Sequence, residues 1–129
     1  MTRVTTYLNF PGTTEEAFAF YQKVFNGSYT GHGIQRFGDF DIPEGDTPLS
    51  EEDKNLILHA ELSILGGHAL MATDAPESMG FQMFYGNNMH IHIEPESREE
   101  TKRIFDELSE GGHINMPLED MFWGAFFGS

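Results

Sequence analysis

The chain has 129 residues, and 39% of them are hydrophobic, which is enough for one domain with one core. It has no Cys, which excludes disulfides, thiolate metal sites and a cysteine nucleophile and suits a reducing cytoplasm. Seven basic residues against 21 acidic ones give a formal charge of −14, which argues against nucleic acid or an anionic membrane as partner. The charge favours a cationic ligand, although a solvated acidic surface is its simpler interpretation.

No apolar run approaches the roughly 18 residues of a membrane span, and no targeting segment precedes the first patterned residues. We therefore expect a soluble cytoplasmic protein.

The first predicted elements are a strand over residues 4–10 and a helix after it. The strand alternates apolar Val4, Leu8 and Phe10 with polar positions, so its apolar side covers the helix and its polar side faces away. The helix begins at the capping box Thr13–Glu16 and ends at Asn26-Gly27. Its predicted buried side chains are Ala17, Phe20, Tyr21, Val24 and Phe25.

Three more strands are predicted before the middle of the chain, over residues 29–37, 56–64 and 68–73. An acidic loop over 38–53 separates the first two and contains Pro43, Gly45 and Pro48 as breakers. In the strand 56–64, alternation places His59, Glu61 and Ser63 on the face opposite Leu58, Ala60, Leu62 and Ile64. The polar face of the predicted sheet therefore resembles the lining of a cleft.

The second part of the chain repeats the first at a constant offset. Ser97–Glu100 is a second capping box, and its helix ends at Gly111-Gly112 with Ile104, Phe105 and Leu108 predicted as buried. Thr13 and Ser97, Glu16 and Glu100, and Gly27 and Gly111 are each 84 positions apart. Such a coincidence of caps and stops indicates an internal duplication.

A strand is also predicted before the second helix, over residues 88–93, with Asn88, His90 and His92 on its polar face. Two more strands are predicted after the helix, over 114–119 and 123–127. The element order predicts an α+β fold in a single domain, 1–129. We divide it into module one (1–75), a linker (76–86) and module two (87–129).

Several motifs in this order resemble the vicinal oxygen chelate (glyoxalase/bleomycin-resistance) superfamily, and within it the PhnB-like, demethylubiquinone-methyltransferase-like group. The motifs that carry the resemblance span nearly the whole chain. They are Tyr7-Leu8-Asn9-Phe10, residues 16–21 (EAFAFY), Val24-Phe25-Asn26-Gly27, Arg36-Phe37-Gly38-Asp39, His59-Ala60-Glu61-Leu62, Leu70-Met71-Ala72-Thr73-Asp74, Met116-Pro117-Leu118-Glu119 and Phe122-Trp123-Gly124.

The resemblance implies two βαβββ modules around a cleft and, by analogy, a homodimer. The group's second module normally continues through a Gly-x-x-x-Asp-x-x-Gly motif into a final strand. This chain ends at Ser129, so we expect module two to lack its last strand here and the natural protein to be longer.

The metal-binding members of the superfamily imply ligand positions that fall here on Thr5, Met71 and Asn88, with the fourth beyond Ser129. None of the three is a good ligand for a divalent ion. The pairs His59/Glu61 and His90/His92 are alternative ligands, but imidazoles bonded within a polar cleft are the commoner arrangement. We therefore predict neither a metal nor another cofactor, and a divalent metal remains the alternative.

The predicted ligand-binding cleft contains Tyr7, His59, Glu61, Asn88, His90, His92 and Trp123. No catalytic residue can be assigned, because no nucleophile–base arrangement and no phosphate-binding glycine motif is present in the sequence.

Three functions remain open at this stage. The first is metal-free binding of a small aromatic or cationic molecule. The second is a metal-dependent lyase, isomerase or dioxygenase of the glyoxalase type. The third is a structural or interaction role. Whether the protein is an enzyme is not decided by its sequence.

Overall fold

A computed structural model describes residues 2–41, 43 and 45–129; Ile42 and Glu44, in the predicted acidic loop, lie outside the described residues. The chain divides into two units, Met1–Met89 and His90–Ser129. The helices and strands are β1 (Thr6–Phe10), α1 (Thr14–Phe25), β2 (Ser28–Arg36), α2 (Glu51–Asn55), β3 (Ile57–Ser63), β4 (Ala69–Asp74), α3 (Arg98–Ser109), β5 (Glu119–Asp120) and β6 (Phe126–Phe127). Among the described helices, none has the length and apolar character of a membrane span.

The first unit contains a four-stranded sheet with the order β1-β4-β3-β2. β1 pairs in parallel with β4, and the other two pairs are antiparallel. Together with the short sheet of β5 and β6, this is an α+β fold, as predicted. The four strands predicted in this unit are confirmed, although β1 begins at Thr6 and leaves Val4 86% exposed outside the sheet.

The core of the first unit lies between α1 and one face of the sheet. Ala60, Leu62 and Ile64 of the strand predicted over 56–64 are buried in it, as the alternation predicts. At the start of the strand the alternation is wrong, because Ile57 is buried in the core and Leu58 is only half-buried, beside a register irregularity between β2 and β3. The predicted face of α1 is partly wrong, because Phe18 is fully buried whereas Phe20 is only half-buried. Thr14, Phe18, Tyr21 and Phe25 follow the helical spacing that faces the sheet.

The start of α1 also differs from the prediction. The Thr13 side chain makes no capping hydrogen bond. The buried Asp74 carboxylate, at the end of β4, accepts one hydrogen bond from the Thr14 amide at 3.0 Å and another from the Ile57 amide at 2.8 Å. One distant side chain thus caps the helix and binds the first residue of β3. The end of α1 is as predicted, with Asn26 in the left-handed conformation at a φ of 51°.

The second unit contains α3, which begins and ends 84 positions after α1. Ser97 caps α3 by accepting a hydrogen bond from the Glu100 amide at 3.0 Å, as predicted, while the Glu100 carboxylate binds Arg103. The two strands predicted after the helix are shorter than expected. In the described part of this unit β5 pairs with β6, and Ser129 and Met116 exchange two further backbone hydrogen bonds. Pro117, which follows Met116, has no amide hydrogen to donate to a ladder.

The strand predicted over 88–93 is not a strand in the structure, although its apolar residues alternate as expected. Met89 is 86% exposed and Ile91 is 51% exposed. Within the described residues this segment has no ladder partner, and a β-strand is defined by backbone hydrogen bonds to a neighbouring strand. The alternating pattern is therefore present without the pairing that would make it a strand.

The duplicated caps provide a matched test of the two helix starts. Ser97→Ala is expected to lower the free energy of unfolding by about 1 kcal/mol, because it removes the acceptor of the Glu100 amide. Thr13→Ala is expected to change it by less than about 0.5 kcal/mol, since that hydroxyl caps nothing. Urea unfolding followed by circular dichroism measures both, and equal losses would contradict the difference between the two starts.

Candidate functional site

The face of the sheet opposite α1 carries polar and aromatic side chains, and we call Tyr7, Thr30, His59, Glu61 and Met71 the polar face. Tyr7 of β1 and Glu61 of β3 both stand opposite Met71 of β4, so these three side chains form one row across neighbouring strands. His59 lies two residues before Glu61 and therefore points the same way. Its ring centroid is 6.1 Å from that of Tyr7, with the ring planes at 45°.

Glu61 is the charged centre of the polar face. It is 6% exposed, and its carboxylate accepts two hydrogen bonds from the Arg3 guanidinium, at 3.0 and 3.2 Å. The Thr30 hydroxyl donates a third at 2.6 Å. The bonds from Arg3, and then the bond from Thr30, lower the pKa of Glu61 to about 2, so the carboxylate is ionised at neutral pH.

The sequence predicts His59 on the same face as Glu61 but does not predict either hydrogen-bonding partner of the carboxylate. The Glu61 hydrogen bonds go to Arg3 and Thr30, whereas His59 packs against the Tyr7 ring. A signal for Arg3 was present in the sequence. A carboxylate predicted on a half-buried face requires a cation, and the odd positions that place Tyr7 on that face reach Arg3 when the pattern is continued backwards.

Asn88, the last site residue predicted in the first unit, is exposed and lies outside any strand. In the second unit His90 and His92 are exposed in a segment without helix or strand, and the His92 Nε2 atom lies 3.9 Å from a Glu94 carboxylate oxygen. Trp123 is 58% exposed in the turn between β5 and β6 and packs edge-on against Phe122, with 4.9 Å between ring centroids. The assignment of these four residues to a ligand cleft stays a prediction.

Two of the metal positions implied by the superfamily lie next to each other, one just before β1 and one in β4. The Thr5 hydroxyl lies 3.7 Å from the Met71 sulfur, so the geometry brings these positions together while the side chains are a neutral hydroxyl and a thioether. Neither suits a hard or borderline divalent ion. Across the part of the chain that the structure describes, no three His, Asp or Glu side chains converge as a metal site would require. The residues present therefore do not fit the superfamily's metal.

The second unit has an open, mainly apolar groove between α3 and the segment that leads to β5. Arg98 lies at 3.8 Å over the ring of Phe126, one of the groove residues, and its guanidinium also binds Asp120. The groove is lined by Lys102, Phe105, Asp106, Ile114, Pro117, Leu118 and Phe126. It contains no convergent polar groups comparable with those around Glu61.

Comparisons with known proteins cover nearly the whole chain. Residues 2–124 match the sequence model of the family described as 3-demethylubiquinone-9 3-methyltransferase. The crystal structure of protein PA1353 from Pseudomonas aeruginosa is similar, with 32% identity, a TM-score of 0.73 and coverage of 99% of this chain and 87% of that one.

Two further relatives resemble the chain. The PhnB protein from Bacillus cereus has 24% identity and a TM-score of 0.71, with coverage of 95% of this chain and 84% of that one, and it supports the fold alone. Protein YjdN of Escherichia coli K12 is 27% identical over 134 residues, which cover 95% of this chain and 82% of that protein.

Proposed function

Because the chain belongs to the PhnB-like family, whose sequence model is described as 3-demethylubiquinone-9 3-methyltransferase, we propose that it binds a small aromatic molecule on the polar face. The observation that carries this proposal is the ion pair of Arg3 with the nearly buried Glu61, which lies on the side of the sheet opposite the core. Desolvating a carboxylate costs free energy that apolar packing would not. Such a group, held ionised by a specific partner, is typical of a functional surface.

The two rings of the polar face supply the apolar part of the proposed site. Tyr7 remains 53% exposed although it lies in the sheet, and His59 is half-buried beside it. A tilted pair of rings at 6.1 Å provides a surface against which a planar ligand can stack or pack edge-on. This supports the aromatic part of the prediction. The cationic part is less well supported, since both Glu61 oxygens already accept hydrogen bonds from Arg3 and Thr30.

The methyltransferase description and the metal-dependent alternative receive less support from the geometry. A nucleotide-type methyl donor is expected at the carboxyl ends of strands in a doubly wound parallel sheet. In the described sheets only β1 and β4 run parallel, and β4-β3-β2 is antiparallel. A glyoxalase-type reaction requires a metal, and Thr5 and Met71 do not provide ligands for one. The homodimer implied by the superfamily stays a prediction.

The proposal is tested by titrating the protein with a panel of neutral, cationic and anionic aromatic compounds in a calorimeter. We expect at least one class to bind, and Tyr7→Ala to weaken that binding about tenfold by removing a stacking surface. Phe122→Ala, which removes a 98% exposed ring from the second unit, is the matched control and is expected to leave the affinity unchanged. Binding that survives Tyr7→Ala, or that requires an added divalent ion, would contradict the proposal.

A further inference from the structure

Arg3 is the group on which the chemical class of the ligand depends. A guanidinium has five N–H donors, and Glu61 takes bonds from only two of its nitrogens. The Arg3 side chain is 50% exposed, whereas the Glu61 side chain is 8% exposed. The cation is therefore the accessible member of the pair, and the anion is the enclosed one.

The Glu61 carboxylate is also enclosed on the side of β2. The Thr30 hydroxyl occupies one carboxylate oxygen, and a Cβ atom added at the following residue, Gly31, would lie 3.3 Å from the other. The backbone of β2 thus passes close beside the carboxylate. A cationic ligand approaching Glu61 would have to displace Arg3, whereas an anionic group can meet Arg3 directly.

The spacing of the polar face places Arg3 within reach of a ligand that stacks on the rings. Tyr7 and Glu61 lie on either side of Met71 in the same row, two strand spacings or about 10 Å apart. Arg3 binds Glu61 at one end of this row, and His59 contacts Tyr7 at the other. A ring that packs on Tyr7 therefore lies about two strand spacings from the carboxylate that Arg3 binds.

We infer, on the basis of the proposed function, that the ligand of the polar face is an aromatic acid whose carboxylate binds Arg3 while its ring packs on Tyr7 and His59. The net charge of −14 repels such a ligand at long range. At 0.15 M salt that repulsion is screened within about 8 Å, so the short contact with Arg3 governs the affinity. Arg3 therefore acts as a specificity determinant, and Glu61 positions it.

The test uses three probes with the same ring and different charge: indole-3-carboxylate, indole and tryptamine, each titrated at 0.15 M salt. We expect indole-3-carboxylate to bind at least about tenfold more tightly than the other two, because a charge-assisted bond to a guanidinium is stronger than a neutral one. If indole or tryptamine binds as well as the carboxylate, the inference fails while the proposed function stands. If none of the three binds at the polar face, both fail.

Variants test whether Arg3 is responsible for the preference for the carboxylate. Arg3→Gln combined with Glu61→Gln removes both charges of the pair without leaving an isolated carboxylate, and it is expected to abolish the preference for indole-3-carboxylate while indole binding stays within about twofold. Arg36→Gln is the matched control, since Arg36 forms an ion pair with Glu15 of α1, and it is expected to keep the preference. A preference that persists in the double variant would overturn the role of Arg3, and thermal unfolding of each variant verifies that it is folded.

Discussion

Phe18→Ala is expected to lower the free energy of unfolding by about 3–5 kcal/mol, because it leaves a cavity in the core of the first unit. Phe18 is fully buried and packs edge-on against Phe10 of β1, with ring centroids 6.4 Å apart. It also contacts Tyr21, at 6.2 Å between centroids. The loss is measured by urea unfolding followed by circular dichroism.

Two other phenylalanines serve as controls for Phe18. Phe122 is 98% exposed, so Phe122→Ala is expected to change the free energy of unfolding by less than about 0.5 kcal/mol. Phe20 lies two residues after Phe18 and is half-buried, so its truncation is expected to cost less than that of Phe18. A larger loss for Phe20→Ala than for Phe18→Ala would mean that α1 presents the other face to the sheet.

Asp74→Ala is expected to destabilise the protein by about 2–6 kcal/mol, because the buried amides of Thr14 and Ile57 lose their common acceptor. An unsatisfied buried donor costs about 1–3 kcal/mol, and this substitution leaves two of them. Asp74→Asn keeps one acceptor oxygen and is expected to cost less. Thermal and urea unfolding measure both variants.

The control for Asp74 is Asp120→Ala. Its carboxylate binds Arg98, but its side chain is 73% exposed, so the expected loss is below about 1 kcal/mol. Comparable losses at positions 74 and 120 would contradict the role of Asp74 as a buried cap. They would indicate instead that Thr14 and Ile57 find other partners when the carboxylate is removed.

Local patterns in the sequence predicted α1 and the four strands of the first unit but not α2, which begins at Glu51 within the predicted loop 38–53. The matched stops predicted the ends of both long helices, and the period of two assigned the buried face of β3 correctly from Ala60 onwards. The errors lie where a distant residue decides the outcome. Thr13 has the right residue type for a cap, yet Asp74, 60 positions away from Thr14, provides the acceptor. In the run Ala17–Tyr21 aromatic residues lie on more than one side of the helix, so the pattern alone could not select Phe18.

The candidate site was also predicted only in part, because a residue distant in the sequence decides one of its main contacts. Alternation placed Tyr7, His59 and Glu61 on one face, and the strand register supports that placement. Glu61 forms its ion pair with Arg3, which is 58 positions away in the sequence and precedes the first strand. The segment 88–93 shows the opposite failure, since a clear alternation predicted a strand for which no partner is described. Periodicity reports which side chains share a face but not which segments pair.

The parallel pairing of β1 with β4 joins the two ends of the first unit, because Tyr7 and Met71 become neighbours only when the intervening strands and α1 are in place. Recognition at this surface is consequently linked to the folding equilibrium of the whole unit. A compound that binds there binds the folded state and not the unfolded one. At a concentration of about 100 times its Kd it would add roughly 2.7 kcal/mol to the free energy of unfolding. The ligand that is used to test the proposed function would therefore also stabilise the folded protein.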